Sequence, residues 1–133
     1  MKQLIQLKEP IGEIKDPVQL FEKIKKINID YEQENLIVFY LNVGNQIIDS
    51  EVLFKGGLSS CMIDPKTLFK KALVNNAFSI IIAHNHPSGN LKPSFEDRTI
   101  TNKLKRAGDL IDVKLLDQII FNKKEFYSLQ EDD

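Results

Sequence analysis

The sequence has a single cysteine, Cys61, so no disulfide can close within the chain, and that usage suits a reducing compartment. Neither sign of charge dominates: 18 Lys and Arg stand against 19 Asp and Glu, a net charge of −1. A protein that works by neutralising nucleic-acid phosphates normally shows a basic excess, and none is present overall. No apolar run approaches the roughly 18 residues of a membrane span. The N-terminal stretch MKQLIQLKEP lacks the apolar centre of a secretory signal. The expected compartment is therefore the cytoplasm, with no membrane partner. Internal repeats, low-complexity tracts and Gly/Ser linkers are also missing, and 133 residues are read as one domain.

What is there is the mix of an ordinary globular protein, 42% apolar and 28% charged. Residues 3–7 are expected to form a short edge strand. Asp16-Pro17 reads as a helix N-cap followed by proline in the first turn. Val18, Leu20, Phe21, Ile24 and Ile27 then recur near the helical period, predicting a helix over 17–28. The run NLIVFYLNV, residues 35–43, reads as a buried strand. Gly44-Asn45 offers the turn to a second strand over 46–55, and a short strand is expected over 58–63. Asp64-Pro65 repeats the capping signal, with Leu68, Phe69, Ala72 and Leu73 as an inner stripe. FSIIIA, residues 78–83, is the most apolar stretch and the expected central strand. Its continuation, His84 to Asn90, is read as a loop because of Pro87, Gly89 and Pro93. Ser94 begins a third helix with Ile100, Leu104 and Ala107 inside, expected to end at Gly108. Strands over 113–121 and 126–129 complete a mixed sheet with helices packed on it.

The chain has only two histidines, His84 and His86. A spacing of two puts both on one face of an extended segment. They stand where the most apolar strand leaves the core. Imidazole nitrogen and carboxylate oxygen are both common Zn²⁺ ligands. Asp97, on the first turn of the third helix, is the best candidate for a third ligand, with Glu96 about 100° away around the helix. Two histidines, one carboxylate and one water make a tetrahedral site with an open corner, the catalytic arrangement. Ser94 has two available roles, helix N-cap or donor to a developing oxyanion. A metal-activated water also needs a base. If strand 35–43 runs antiparallel beside 78–83, Glu34 lies next to His84; Glu51, on the following strand, is the alternative. Cys61 reads as a small buried apolar residue rather than a ligand. The basic cluster Lys103, Lys105 and Arg106 reads as a solvated helix face, as does Lys23, Lys25 and Lys26.

Glu34, then His84-Asn85-His86-Pro87, then Ser94-Phe95-Glu96-Asp97 resembles the motif of the JAMM (JAB/MPN) metalloproteases. The fuller string HNHPSGNLKPSFEDRTIT, the segment ENLIVFYLNVGNQII and the ending YSL are similar to the RadC branch of that superfamily. The resemblance covers about residues 15–130. It implies a three-layer α-β-α, cytidine-deaminase-like JAB/MPN domain with a mixed central sheet. It also implies Zn²⁺ on His84, His86 and Asp97, Glu34 as acid/base and Ser94 as oxyanion helper. The activity implied is hydrolysis of a peptide or isopeptide bond in a peptide or protein substrate. The RadC name carries a DNA-repair association, and the substrate of that branch is not settled.

The sequence departs from the branch in three places. Longer RadC proteins carry an N-terminal helix-hairpin-helix region associated with DNA binding, for which this chain has no room. Many relatives have Asp-His where this chain has Asp117-Gln118, and often Asp where it has Asn90. The competing expectation is an accessory or binding module in DNA metabolism with a structural or vestigial zinc site; its signature is salt-dependent DNA affinity. A zinc deaminase is a third reading, but that class needs Pro-Cys-x-x-Cys and the chain has one cysteine.

Overall fold

The computed structural model describes residues 13–56 and 63–132. In chain order these form α1 (Pro17–Ile24), β1 (Glu34–Leu41), β2 (Ile47–Gly56), α2 (Pro65–Val74) and β3 (Ser79–Asn85), followed by α3 (Phe95–Ile111), β4 (Lys114–Phe121), β5 (Phe126–Ser128) and the short α4 (Leu129–Asp132). The expected strand 3–7 and nearly all of 58–63, with Cys61, lie outside the described residues. Both Asp-Pro signals start helices: the Asp16 carboxylate accepts from Gln19 N and that of Asp64 from Lys66 N.

The five strands lie in the order β2-β1-β3-β4-β5, with β3 and β4 parallel and every other pair antiparallel. Parallel strands need a long crossover, and α3 supplies it. Alternation of side chains then makes two cores. On one face Leu36, Val38, Tyr40, Ile80, Ile82 and Leu115 pack against Leu68, Phe69 and Ala72 of α2 and Ile100 and Leu104 of α3. On the other, Ile37, Phe39, Leu41, Ile81, Ala83 and Phe121 pack against Leu20, Phe21 and Ile24 of α1. The layers are α-β-α around a mixed sheet, as expected. β1 from Leu36 to Leu41 and β3 from Ile80 to Ala83 are continuously apolar because both their faces are covered.

Several sequence expectations need correction. The α-helix α1 stops at Ile24, and residues 25–27 continue only as turns, with Lys26 N bonded to Lys23 O and Ile27 N to Ile24 O. Val18 and Leu73 are exposed; each lies roughly 100° round its helix from the centre of the buried stripe. β1 ends at Leu41 because the Asn42 side chain accepts from Gly44 N and Gln46 N and closes the hairpin there. β3 starts after Phe78, which is half exposed, and runs on through His84 and Asn85, so the first two residues of the expected loop are strand. Leu129 begins α4 rather than ending β5.

Gly108 does not end α3. The helix continues to Ile111 and is closed by Asp112 in the left-handed conformation, φ 59°. Gly108 is instead a point of close approach: a Cβ there would stand 2.1 Å from the Val113 carbonyl oxygen, which is backbone and cannot swing away. Gly108→Ala is therefore expected to destabilise the fold by about 3 kcal/mol, at or above the upper end of ordinary overpacking, measured by urea unfolding. A loss below the gain in helix propensity of alanine over glycine would contradict this contact.

Candidate metal centre

The site forms where β3 leaves the sheet and α3 begins. Leu36 pairs with His84 across β1 and β3. Glu34 and His84 thus lie on the sheet face that α3 covers, with His86 two residues on from His84. α3 begins with a reciprocal cap. Ser94 Oγ accepts from Asp97 N at 3.0 Å, and Asp97 Oδ2 accepts from Ser94 N at 2.9 Å. That cap fixes the Asp97 carboxylate and turns it toward the two rings.

The convergence is tight. His84 Nε2 and His86 Nε2 are 3.1 Å apart. Asp97 Oδ1 lies 3.2 Å from His84 Nε2, and Oδ2 lies 3.2 Å from His86 Nε2. His84 and Asp97 are buried. Nδ1 of His86 lies 2.7 Å from the Asn90 carbonyl oxygen. A carbonyl only accepts, so Nδ1 carries the proton and Nε2 of the neutral ring presents a lone pair to the site. A neutral His86 ring turns an Nε2 lone pair toward the Asp97 carboxylate, and a protonated ring donates to it, with His84 beside them. Such a set is stable only with positive charge at its centre, a proton or a metal ion.

The electrostatics agree. Burial works against ionisation of Asp97, but hydrogen bonds from His84 and His86, their charge, and the Ser94 N–H together hold its carboxyl well below the ordinary range. The Asp97 carboxylate raises the affinity of His86 for a proton; burial opposes this, and the Asn90 carbonyl adds to it. The half-buried Glu34 carboxyl is pushed up by burial, pulled down by His84 and His86 and pushed up by Asp97. The register sets Glu34 two residues beyond the Leu36–His84 pair, on the same face of the sheet as His84.

Tetrahedral zinc with bonds of about 2.0–2.1 Å needs donor atoms roughly 3.3 Å apart. Here the two Nε2 atoms stand 3.1 Å apart and each ring has a different Asp97 oxygen at 3.2 Å; taking one ligand atom from each residue, all three lie within 4.8 Å of one another. The donor set fits such an ion. Among the described residues this is the one group of His, Cys, Asp or Glu side chains arranged to hold a metal.

Glu51, the alternative base, is elsewhere. It lies on β2 opposite Val38, accepts from the Tyr40 hydroxyl at 2.7 Å and faces Lys71 Nζ at 3.7 Å. Glu96 is exposed, as its position on the helix requires. Ser94 performs the capping role, with its oxygen committed as an acceptor. No helix among the described residues is long and apolar enough to cross a membrane.

Two supports of the site are not apparent in the motif. Gln118 is buried in β4 and donates to the Asp97 backbone carbonyl at 3.0 Å and to the Thr101 hydroxyl, tying the first turns of α3 to the sheet. Asn85, read as a loop-shaping residue, is instead buried at the end of β3 and bonded to the chain around Glu34. For Gln118 the signal available was a polar residue inside an apolar strand, which must find a partner when buried. A cleft of about 400 Å³ opens beside His86, between Tyr31, Pro87 and the turn Asn122, Lys123 and Glu125. Asn122 Nδ2 holds its wall to the Gly89 carbonyl at 3.0 Å.

A three-layer α/β domain with two histidines and an aspartate gathered at the end of its central strand defines a candidate metal-centre protein of JAB/MPN type. Residues 14–133 match the model of the RadC-like JAB domain, and the chain belongs to that family. It is 44% identical over 102 residues to a UPF0758 protein of Chlorobium chlorochromatii, covering 77% of this chain and 46% of that one. It is 38% identical over 118 residues to a UPF0758 protein of Chlorobaculum tepidum, covering 89% and 53% respectively. A UPF0758 protein of Clostridium perfringens is 44% identical over 101 residues, covering 76% and 44%. The chain spans about half the length of these curated relatives.

Proposed function

We propose that this domain is a zinc-dependent hydrolase that cleaves a peptide or isopeptide bond. The observation that carries the reading is the convergence of His84 Nε2, His86 Nε2 and the Asp97 carboxylate where β3 leaves the sheet. His84, His86 and Asp97 would hold the ion. Zinc bound there supplies a Lewis acid that acidifies a water and polarises a carbonyl.

The remaining work falls to the chain. Glu34 stands beside the cluster, half-buried, with its carboxyl biased toward holding a proton more readily than an exposed glutamate does. It takes the proton of the attacking water and returns it to the departing amine, so one group serves as base and then acid. The Ser94 oxygen accepts the Asp97 N–H, which leaves its O–H to donate to the carbonyl oxygen as negative charge develops there. The cleft beside His86 admits one side of the substrate.

The test has two stages. Metal analysis of the purified protein is expected to give one zinc per chain. A panel of peptide and isopeptide substrates is then expected to yield turnover that a chelator abolishes and zinc restores. Turnover unaffected by the chelator would remove zinc from the reaction, and a protein that takes up no zinc would remove the reading altogether.

A further inference from the structure

We infer that Asn85 is the positioning residue for Glu34, an inference that rests on the hydrolase reading above for its catalytic consequence. Asn85 lies between the two histidines, and alternation sends its side chain to the opposite face of the sheet from theirs. There it is buried against Asn35, itself buried. Asn85 Oδ1 accepts from Asn35 N at 2.8 Å and from Asn35 Nδ2 at 3.2 Å. Its Nδ2 donates to the Gln33 carbonyl at 2.8 Å and to that of Tyr31 at 3.4 Å.

The two backbone groups it grips at 2.8 Å, Gln33 C=O and Asn35 N–H, are those on either side of Glu34. The β1–β3 register ends at the Leu36–His84 pair, so on the side of the histidines the ladder does not reach Glu34, which pairs only with Gly56 of β2 on the other side. One side-chain amide stands in for the missing rung. Asn35 extends the grip by donating to Asp30 O at 2.8 Å and Gln33 O at 3.0 Å. The residue that separates the two metal-facing histidines thereby also sets where the acid/base carboxylate stands. Ligand spacing and the place of the base are coupled through a single position.

The experiment combines amide exchange, zinc affinity and a double-mutant cycle on the full chain. In Asn85→Ala, exchange of the Asn35 amide is expected to accelerate roughly tenfold, with Ile80–Ala83 unchanged. Zinc affinity by chelator competition stays within about threefold of the parent, since the ligands lie on the other face. Against a substrate found by the panel above, kcat falls while KM holds. In the Glu34→Gln background the same change costs nothing further, because Asn85 acts through Glu34. Asn85→Asp provides a second variant if alanine unfolds the chain. It keeps the acceptor for Asn35 N but sets an oxygen against the Gln33 and Tyr31 carbonyls, so exchange rises at residues 31–34 first. Unchanged exchange around Glu34, or an equal loss of kcat in both backgrounds, overturns the inference. A parent chain that binds no zinc defeats the hydrolase reading, and the exchange measurement still decides whether Asn85 holds this segment.

Discussion

Purified His84→Ala and Asp97→Ala variants are expected to come without zinc where the parent carries one ion per chain. Losing an outer partner of a metal ligand typically costs about 10–100-fold in affinity, and loss of a ligand itself exceeds that. The consequence extends to stability, because an ion that binds only the folded state shifts the unfolding equilibrium. Zinc at 100 times its dissociation constant adds ~2.7 kcal/mol to the parent. For a chain of this length that moves Tm by on the order of 10 °C. Neither variant should show the shift. Without zinc, the His84→Ala variant should also be less compromised than Asp97→Ala. Asp97 closes the α3 cap through Ser94 N as well as facing the rings, and losing a cap costs about 1 kcal/mol. Calorimetry of the parent and both variants, with and without a chelator, measures all six states. Stoichiometric zinc in either variant would remove that residue from the ligand set.

Glu34→Gln is expected to keep the zinc and lose the reaction. Glutamine matches glutamate in size but cannot cycle a proton, so kcat should fall by about 10²–10⁴-fold, the usual contribution of general acid–base catalysis. KM should change little, and zinc per chain should stay at one. The burial that pushes the Glu34 carboxyl up also makes its ionised form costly. Replacing it with a neutral amide should therefore not destabilise the fold. Wild-type-like turnover by Glu34→Gln would reject its role. Glu51→Gln is the control: Glu51 is engaged by Tyr40 and Lys71 on the edge of the sheet, and its removal should leave turnover unchanged.

Much of this site was legible before any coordinates. His84 and His86 are two apart at the end of the most apolar run, and a period of two is a property of any extended chain. Ser94 and Asp97 are three apart behind a proline, and that spacing is the capping geometry of any helix start. Asp16-Pro17 and Asp64-Pro65 worked for the same local reason. Where the reading slipped, the cause was non-local. Gly108 looked like a helix terminator, yet the Val113 carbonyl packs so close that only glycine fits. Val18 and Leu73 matched a helical stripe, but which 100° of the helix meets the sheet is decided by the sheet. Asn85 sat in a run of turn formers, and it is strand because it pairs with Phe121 of β4, far away in the chain.

Taken alone, the amino-acid sequence determined most of the elements and which side chains gather in the His84, His86 and Asp97 cluster, because caps, periodicity and residue spacing act over a few residues. It left Glu34 and Glu51 as alternatives, since either strand could have supplied a carboxylate. The order β2-β1-β3-β4-β5 sets Glu34, and not Glu51, at the end of the sheet where His84 stands. Setting β1 directly against β3 in antiparallel register brings the start of one strand to the end of the other, and it leaves Glu51 on the far side of β1. Which strand pairs with which depends on hydrogen bonds closed across the whole fold, and that information is carried by packing rather than by any local pattern.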